Sequence, residues 1–553
     1  MKVLGGILLV FFLFLILREV LYVRFSLSAS KTLHNKILHS VAGAKIEFFD
    51  TNLSGRILNR FSNDVGILDR FLLQVQDDVV DALFFYLALL ITLCIIFPWI
   101  FIIGILLILV LLLSFRYCKN FIIQGRGLEL LTRSPVYSWF SLTLNGLTSI
   151  RVYGQENRFI REFTRLINRN IRAYNFYSDI GRAFSFYCDL QAGAFVCVGI
   201  TILISLQNIE ATLVGLACYY FLSFNDQIQW ALRQTLTHIM QMASTERIRA
   251  YSELPQEPPM TLPSDELLKQ GYSWPSRGQI RFNNVYMKYR ENTEHVLKGL
   301  TITINPAEKI GCVGRTGAGK TSILQALFRL TEIDYNAVPN SSITIDGMDI
   351  SKIGLETLRT SITLIPQTSF ILIGTVRKNL DPLGKYKDED LTAVLHEVGL
   401  WSRVRSLPDG LDTIISDASS SFSTGEKQLL CLARALLQNN KIVVLDEATA
   451  NVDFETDNFI QQKIMEKFRH STVFTIAHRL STIANYDRVM VMDKGRVKEL
   501  DHPYKLLVKN IGDEKITNTD GLFASMILHT GAKHSEVVFQ TAKNSYFRKF
   551  GKQ

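Results

Sequence analysis

No Cys-x-x-Cys pair occurs in the chain, although it holds seven cysteines. Cys94, Cys118, Cys188, Cys197, Cys218, Cys312 and Cys431 are scattered, most of them in or beside apolar stretches. Free, buried thiols are expected, and neither a disulfide framework nor a zinc site is indicated. The sequence also has no basic tract with interleaved aromatics. Its net charge of +9 therefore points to lysines and arginines gathered in the cytosolic loops of a membrane protein, and away from nucleic acid. Charge is missing altogether from Ala82 to Phe115. Proline is sparse, yet Pro255, Pro258, Pro259, Pro263 and Pro275 crowd into residues 252–277.

What is present divides the chain in two. At 553 residues it exceeds one compact domain, and its uninterrupted apolar runs fall in the first 230 or so. One helix over the charge-free stretch would reach about 51 Å, against a hydrocarbon core of roughly 30 Å. We therefore expect two spans turning at Pro98-Trp99. Val3–Ile16, Leu190–Leu206 and Ala211–Phe224 make three more, the last two separated by Gln207–Glu210. A secretory leader is the competing reading of Val3–Ile16, but Arg18 and Glu19 interrupt before any plausible cleavage site. Arg24, Lys31, Lys36, Lys45, Arg56, Arg60 and Arg70 place 24–76 in the cytosol with the C-terminal half. Trp230 and Arg233, three residues apart, share one helical face. An arginine at that depth either faces a wet pathway or snorkels to headgroups, and spacing alone does not choose.

The crowded prolines oppose both helix and central strand, so 252–277 reads as a linker between a transmembrane domain over 1–251 and a soluble α/β domain over 278–531, with a tail over 532–553. Gly314-Arg-Thr-Gly-Ala-Gly319-Lys320-Thr321 follows the strand-like Lys309–Val313 and opens a helical pattern. Such a loop wraps phosphates with backbone N–H groups and sets them at a helix N-terminus. The expected nucleotide contacts are Gly314, Arg315, Thr316, Gly317, Ala318, Gly319, Lys320, Thr321 and Ser322. Lys320 would reach the β- and γ-phosphates, and Thr321 would ligate Mg²⁺. Lys441–Leu445 reads as a buried strand ending in Asp446-Glu447. Asp446 is expected to hold Mg²⁺ and Glu447 to act as catalytic base. ATP and Mg²⁺ are the cofactors these residues call for.

With those two sites placed, the order of the remaining motifs resembles the ATP-binding cassette family. Tyr289 resembles its adenine-stacking aromatic. Gln367, in Ile-Pro-Gln, resembles the Q-loop glutamine, which senses Mg²⁺ and contacts the membrane domain. Phe422–Glu426, with Ser423 and Gly425, stands at the signature, Ala450–Asp453 at the D-loop, and His478 at the switch histidine. Gly55–Ser62, Lys378–Pro382, the Gly314–Lys320 variant and the tail Thr541–Phe547 are similar to the C subfamily, the multidrug-resistance-associated proteins. The resemblance implies an α-helical exporter-type transmembrane domain of about five spans, its first helix apparently lacking, followed by a P-loop cassette. It implies an ATPase exporting organic anions or conjugates, with Trp230 and Arg233 on the substrate path and a second half completing the nucleotide sandwich. Glu426 for Gln and Thr424 for Gly depart from the signature and bear on the partner's ATP. A truncated fragment that binds ATP without transporting, and a regulator or channel, stay open as alternatives.

Overall fold

The structure is a computed structural model, and it describes the chain apart from Met1, 97–99, 206–210, 272–273, 336–337, 416–421, 447–453, 478 and 551–553. Residues 1–43 and 52–254 form one unit, and 44–51 with 255–553 form the other.

Long helices build the first unit: Lys2–Ala42, Leu73–Ile96, Ile100–Asn145, Glu156–Ser205 and Ala211–Ser252. Each carries one of the five apolar runs. The turns expected at Pro98-Trp99 and Gln207–Glu210 lie outside the described residues. Among the described residues, three helices are long and apolar enough to cross a membrane: Lys2–Ala42, Gly104–Asn145 and Glu156–Ile202. At 50 residues, Glu156–Ser205 is about 75 Å long, more than twice the roughly 30 Å core. Much of what the sequence suggested as loop is therefore helix running on past the apolar run. Leu107, Leu111, Phe184, Cys188, Phe195 and Phe221 form the buried core of this unit.

Polar stitches join the helices where that core thins. Arg18 reaches Asp77 at 2.7 Å and Asp81 at 2.8 Å, and Gln234 donates to Asp78 at 2.8 Å. Nearer the linker, the fully buried Asp64 takes two bonds from Arg247, at 2.5 and 3.1 Å, and one from Arg60 at 2.6 Å. The six described cysteines are free.

The second unit is α/β. Its strands are β1 (Ile280–Met287), β2 (Leu297–Ile304), β3 (Lys309–Gly314), β4 (Ser342–Ile345), β5 (Met348–Asp349) and β6 (Ile362–Ile365), then β7 (Gly374–Thr375), β8 (Ile414–Ile415), β9 (Ile442–Asp446), β10 (Thr472–Ile476), β11 (Arg488–Asp493) and β12 (Arg496–Asp501). Six of them form a sheet in the order β12-β11-β3-β10-β9-β6. Its members run parallel except β12, which pairs antiparallel with β11. β3, β9 and β10 are buried along nearly every residue, which explains why they read as unbroken apolar runs. A second, antiparallel sheet has the order β2-β1-β4-β5.

Two features depart from expectation. The proline-rich stretch contains a helix, Pro263–Gly271, because Pro263 stands at its first position, where no intrahelical N–H is needed. This stretch is also fastened to the sheet domain: Arg359 grips Glu257 through two bonds at 2.8 and 2.9 Å, and the buried Asp265 accepts from Gly354 N at 3.0 Å. The tail likewise folds, as the helix Ala532–Phe550, and packs Val538, Phe539 and Ala542 into a core with Tyr486, Val489 and Tyr504.

Candidate nucleotide site

Parallel pairing brings three strand ends to one edge of the large sheet. Ile476 stands opposite Asp446 on one side and opposite Cys312 on the other, and Gly314 follows two residues later on β3. Ligands of open α/β sheets bind beyond this C-terminal edge. The loop there turns through Gly317 (φ +79°) and Gly319 (φ +101°), and Gly319 caps the helix Lys320–Leu327. A Cβ on Gly314 would lie 2.4 Å from Met492 O, so the loop can press this closely on β11 only with glycine there. The result is a strand, a glycine turn and a helix N-terminus, a concave ring of N–H groups suited to phosphate.

Lys320 is buried, and its ammonium donates to Gly314 O at 2.8 Å and Arg315 O at 3.3 Å. It is thus held over the loop it is meant to serve. Thr321 is exposed at the first helical turn, its hydroxyl available to a cation. Asp446 ends β9 half-buried. A hydroxyl and a carboxylate oxygen are hard donors of the kind Mg²⁺ takes alongside phosphate and water, so the residues present fit that ion. Tyr289 bonds Ser322 Oγ through its hydroxyl at 2.8 Å, which places its ring beside the phosphate helix. Beside it opens a cleft of about 940 Å³ lined by Tyr289, Val296, Gln325 and the segment around Glu47. Gln367 is exposed just beyond β6. Glu447 and His478, with Ala450–Asp453, lie outside the described residues.

Ser423 and Gly425 belong elsewhere. Ser423 caps the helix Thr424–Gln438 in a reciprocal box: its hydroxyl accepts from Glu426 N at 3.2 Å, and Glu426 accepts from Ser423 N at 2.7 Å. Glu426 also lies 3.7 Å from Arg403. Phe422, Leu430 and Ala433 pack with Val376, Leu391 and Leu395 in one core, whereas Ala318, Ile323 and Leu324 of the phosphate loop and helix pack in another. The signature is therefore carried by a different lobe from the loop.

The helix Ile46–Thr51 joins the second unit beside Tyr289: Lys45 N donates to Pro255 O at 3.2 Å, and Glu47 stands 4.0 Å from Arg290. In the helical unit a cavity of about 440 Å³ is lined by Arg233 together with Tyr177, Arg182, Phe184 and Asp189. Trp230, half-buried, is not part of that lining. The sequence reading passed over Arg182. A cation beside the run Ala183–Phe186, one helix turn short of the span from Leu190, was the available signal.

Comparison with known proteins agrees with this architecture. Residues 2–190 match the family model described as ABC transporter transmembrane region, and residues 297–450 match the one described as ABC transporter. The chain belongs to the ATP-binding cassette transporter family, as a multi-pass membrane protein with an ATP-binding cassette. Within the family its similarity is to the C subfamily. It is 40% identical over 546 residues to ATP-binding cassette sub-family C member 4 of Mus musculus, which covers 99% of this chain and 40% of the relative. The Homo sapiens protein of that name is 40% identical over 538 residues, covering 97% and 39%. A Candida glabrata protein named as a pleiotropic ABC efflux transporter of multiple drugs is 38% identical over 504 residues, covering 88% and 30%. The chain thus spans about two fifths of the length of the first of these relatives.

Proposed function

We propose that this chain is an ATP-driven half of an exporter for organic anions or their conjugates, working with a second cassette-bearing half. What supports it above all is the phosphate loop at the sheet's C-terminal edge, with Lys320 and Thr321 on it and Asp446 at the same level, in a chain that also carries membrane helices around an arginine-lined cavity. The efflux named for the Candida glabrata relative agrees with this direction of transport.

In this reading the N–H groups of Gly314–Thr321 and the Lys320 ammonium bind the triphosphate of ATP, and Tyr289 offers its ring to the adenine. Thr321, Asp446 and Gln367 hold Mg²⁺, which when bound neutralises charge on the phosphates. Glu447 takes a proton from the attacking water, and His478 stands by the γ-phosphate. The partner's signature closes over this nucleotide, while Ser423 and Gly425 close over the partner's. Arg233, with Trp230 one turn earlier on the same helix, recognises the anionic group of the substrate.

The test is ATP turnover and vesicle uptake by the chain reconstituted with a partner half. Glu447→Gln is expected to lower turnover at least a hundredfold with ATP affinity kept. Unchanged turnover would remove Glu447 from its role.

A further inference from the structure

We propose that Arg434 and Asn379 are positioning residues that clamp the segment Pro366–Leu372 to the helix Thr424–Gln438, so that the stretch holding Gln367 and the helix headed by the signature move as one piece. The clamp deepens the functional reading above, because it gives Gln367 a mechanical link to the signature that serves the opposite nucleotide.

The bonds are made by few side chains, and those are well spent. Gln428, buried in the helix Thr424–Gln438, donates to Pro366 O at 3.2 Å, at the entry to the segment. Six residues on, about 9 Å further along the axis, Arg434 donates to Phe370 O at 2.6 Å and to Asn379 Oδ1 at 2.8 Å, and also bonds Asn379 O. Asn379 has no exposed surface. Its Oδ1 accepts from Leu372 N at 2.8 Å as well, and its amide group donates to Leu372 O at 2.9 Å and Thr375 O at 3.0 Å. All four hydrogen-bonding positions of that amide are thus occupied.

The segment is therefore held at its start by Gln428 and at its end by the Arg434–Asn379 pair. Both grips issue from one helix, whose first turn is Thr424–Lys427. Gln367 lies between them. A shift of the segment cannot occur without breaking several of these hydrogen bonds or carrying the helix along. A planar guanidinium is needed at 434, because a lysine ammonium cannot span Phe370 O and both oxygens of Asn379 in one fixed fork.

The full chain reconstituted with a partner half in lipid nanodiscs tests this by amide hydrogen exchange without nucleotide, followed by MgATP binding and turnover. Arg434→Lys and Asn379→Ser are each expected to speed exchange over 366–375 at least tenfold, with 309–314 and 442–446 unchanged. The double variant should add less than twofold to either single one, because both cut the same clamp. MgATP affinity should stay within threefold while turnover falls at least tenfold. The proposal is overturned if exchange over 366–375 stays at the unsubstituted rate in both variants, or if it rises equally over 309–314 and 442–446. Unchanged turnover overturns it too. An unsubstituted chain that does not bind MgATP counts against the nucleotide-site reading alone, since exchange still decides the clamp.

Discussion

Asp64 illustrates a side chain whose surroundings decide its behaviour. Burial pushes its carboxyl up, but Arg247 and Arg60 outweigh that and hold it below the ordinary carboxylate value. Its stabilisation is present above the unfolded carboxylate range and is lost as pH falls through the depressed folded value. Asp64→Asn should therefore cost about 1–3 kcal/mol at neutral pH, read as a lowered thermal midpoint, and the gap to the unsubstituted chain should narrow on acidification. A variant equally stable at pH 7 would mean the arginines are solvated by other partners. Lys320→Ala removes the cation from the phosphate loop and should weaken MgATP binding at least tenfold in a filter or fluorescence titration. The two residues differ in legibility for a physical reason. Lys320 was readable because a phosphate loop needs its residues at fixed local spacing. Asp64 meets Arg247 across 183 positions, and in the sequence each is one more charge in a cytosolic stretch.

Among elements, the linker and the tail changed most between sequence and structure. Proline density was a sound argument against strand, but it said nothing of the carboxylates among the prolines, Glu257 and Asp265, that fasten the stretch to Arg359 and Gly354. A Cβ on Gly354 would lie 2.3 Å from Asp265 Oδ2 and 2.5 Å from Met260 O. Gly354→Ala should consequently destabilise the cassette by about 1–3 kcal/mol, seen as a lower midpoint of its unfolding transition. The tail helix rests on His502, which lies 5.2 Å from the Tyr546 ring and 6.0 Å from that of Phe550. His502 Nδ1 accepts from Tyr504 N, and its Nε2 finds no partner among the described residues. Burial drives this imidazole down to about 4, and the Lys549 ammonium pushes the same way, while Asp487 and Asp501 oppose it. Folded and neutral, it competes with an unfolded form that takes a proton near 6.5. Stability should thus fall as pH drops from about 6.5 toward 4. Hydrogen exchange over 532–550 is expected to quicken between pH 7 and 5, and His502→Asn, which keeps a capping acceptor (an amide oxygen in place of Nδ1) but no titration, should flatten that dependence. Equal pH profiles for the two proteins would assign the effect to another group.

At the scale of the whole molecule, the fold class was open to reading because both halves announce themselves by composition: charge-free runs in one, buried strands and glycine turns in the other. The lining of the membrane cavity was not, since Arg182 and Arg233 come from two helices that only packing brings to one space. If the proposed transport reading holds, Arg182→Ala and Arg233→Ala should each reduce anion-stimulated ATP turnover at least fivefold while leaving basal turnover within twofold, a split that a folding defect would not produce. The short helix Ile46–Thr51, which belongs with residues 255–553 although it is encoded far ahead of them, sets a schedule for biosynthesis. At the usual 5–20 residues per second, about 10–40 s separate its emergence from that of residue 255. During that interval the helix has none of its contacts with residues 255–553. The contacts that group this helix with residues 255–553 thus form only after the intervening helices have been made. A delay in making the intervening helices prolongs the exposure of that helix to chaperones and to aggregation.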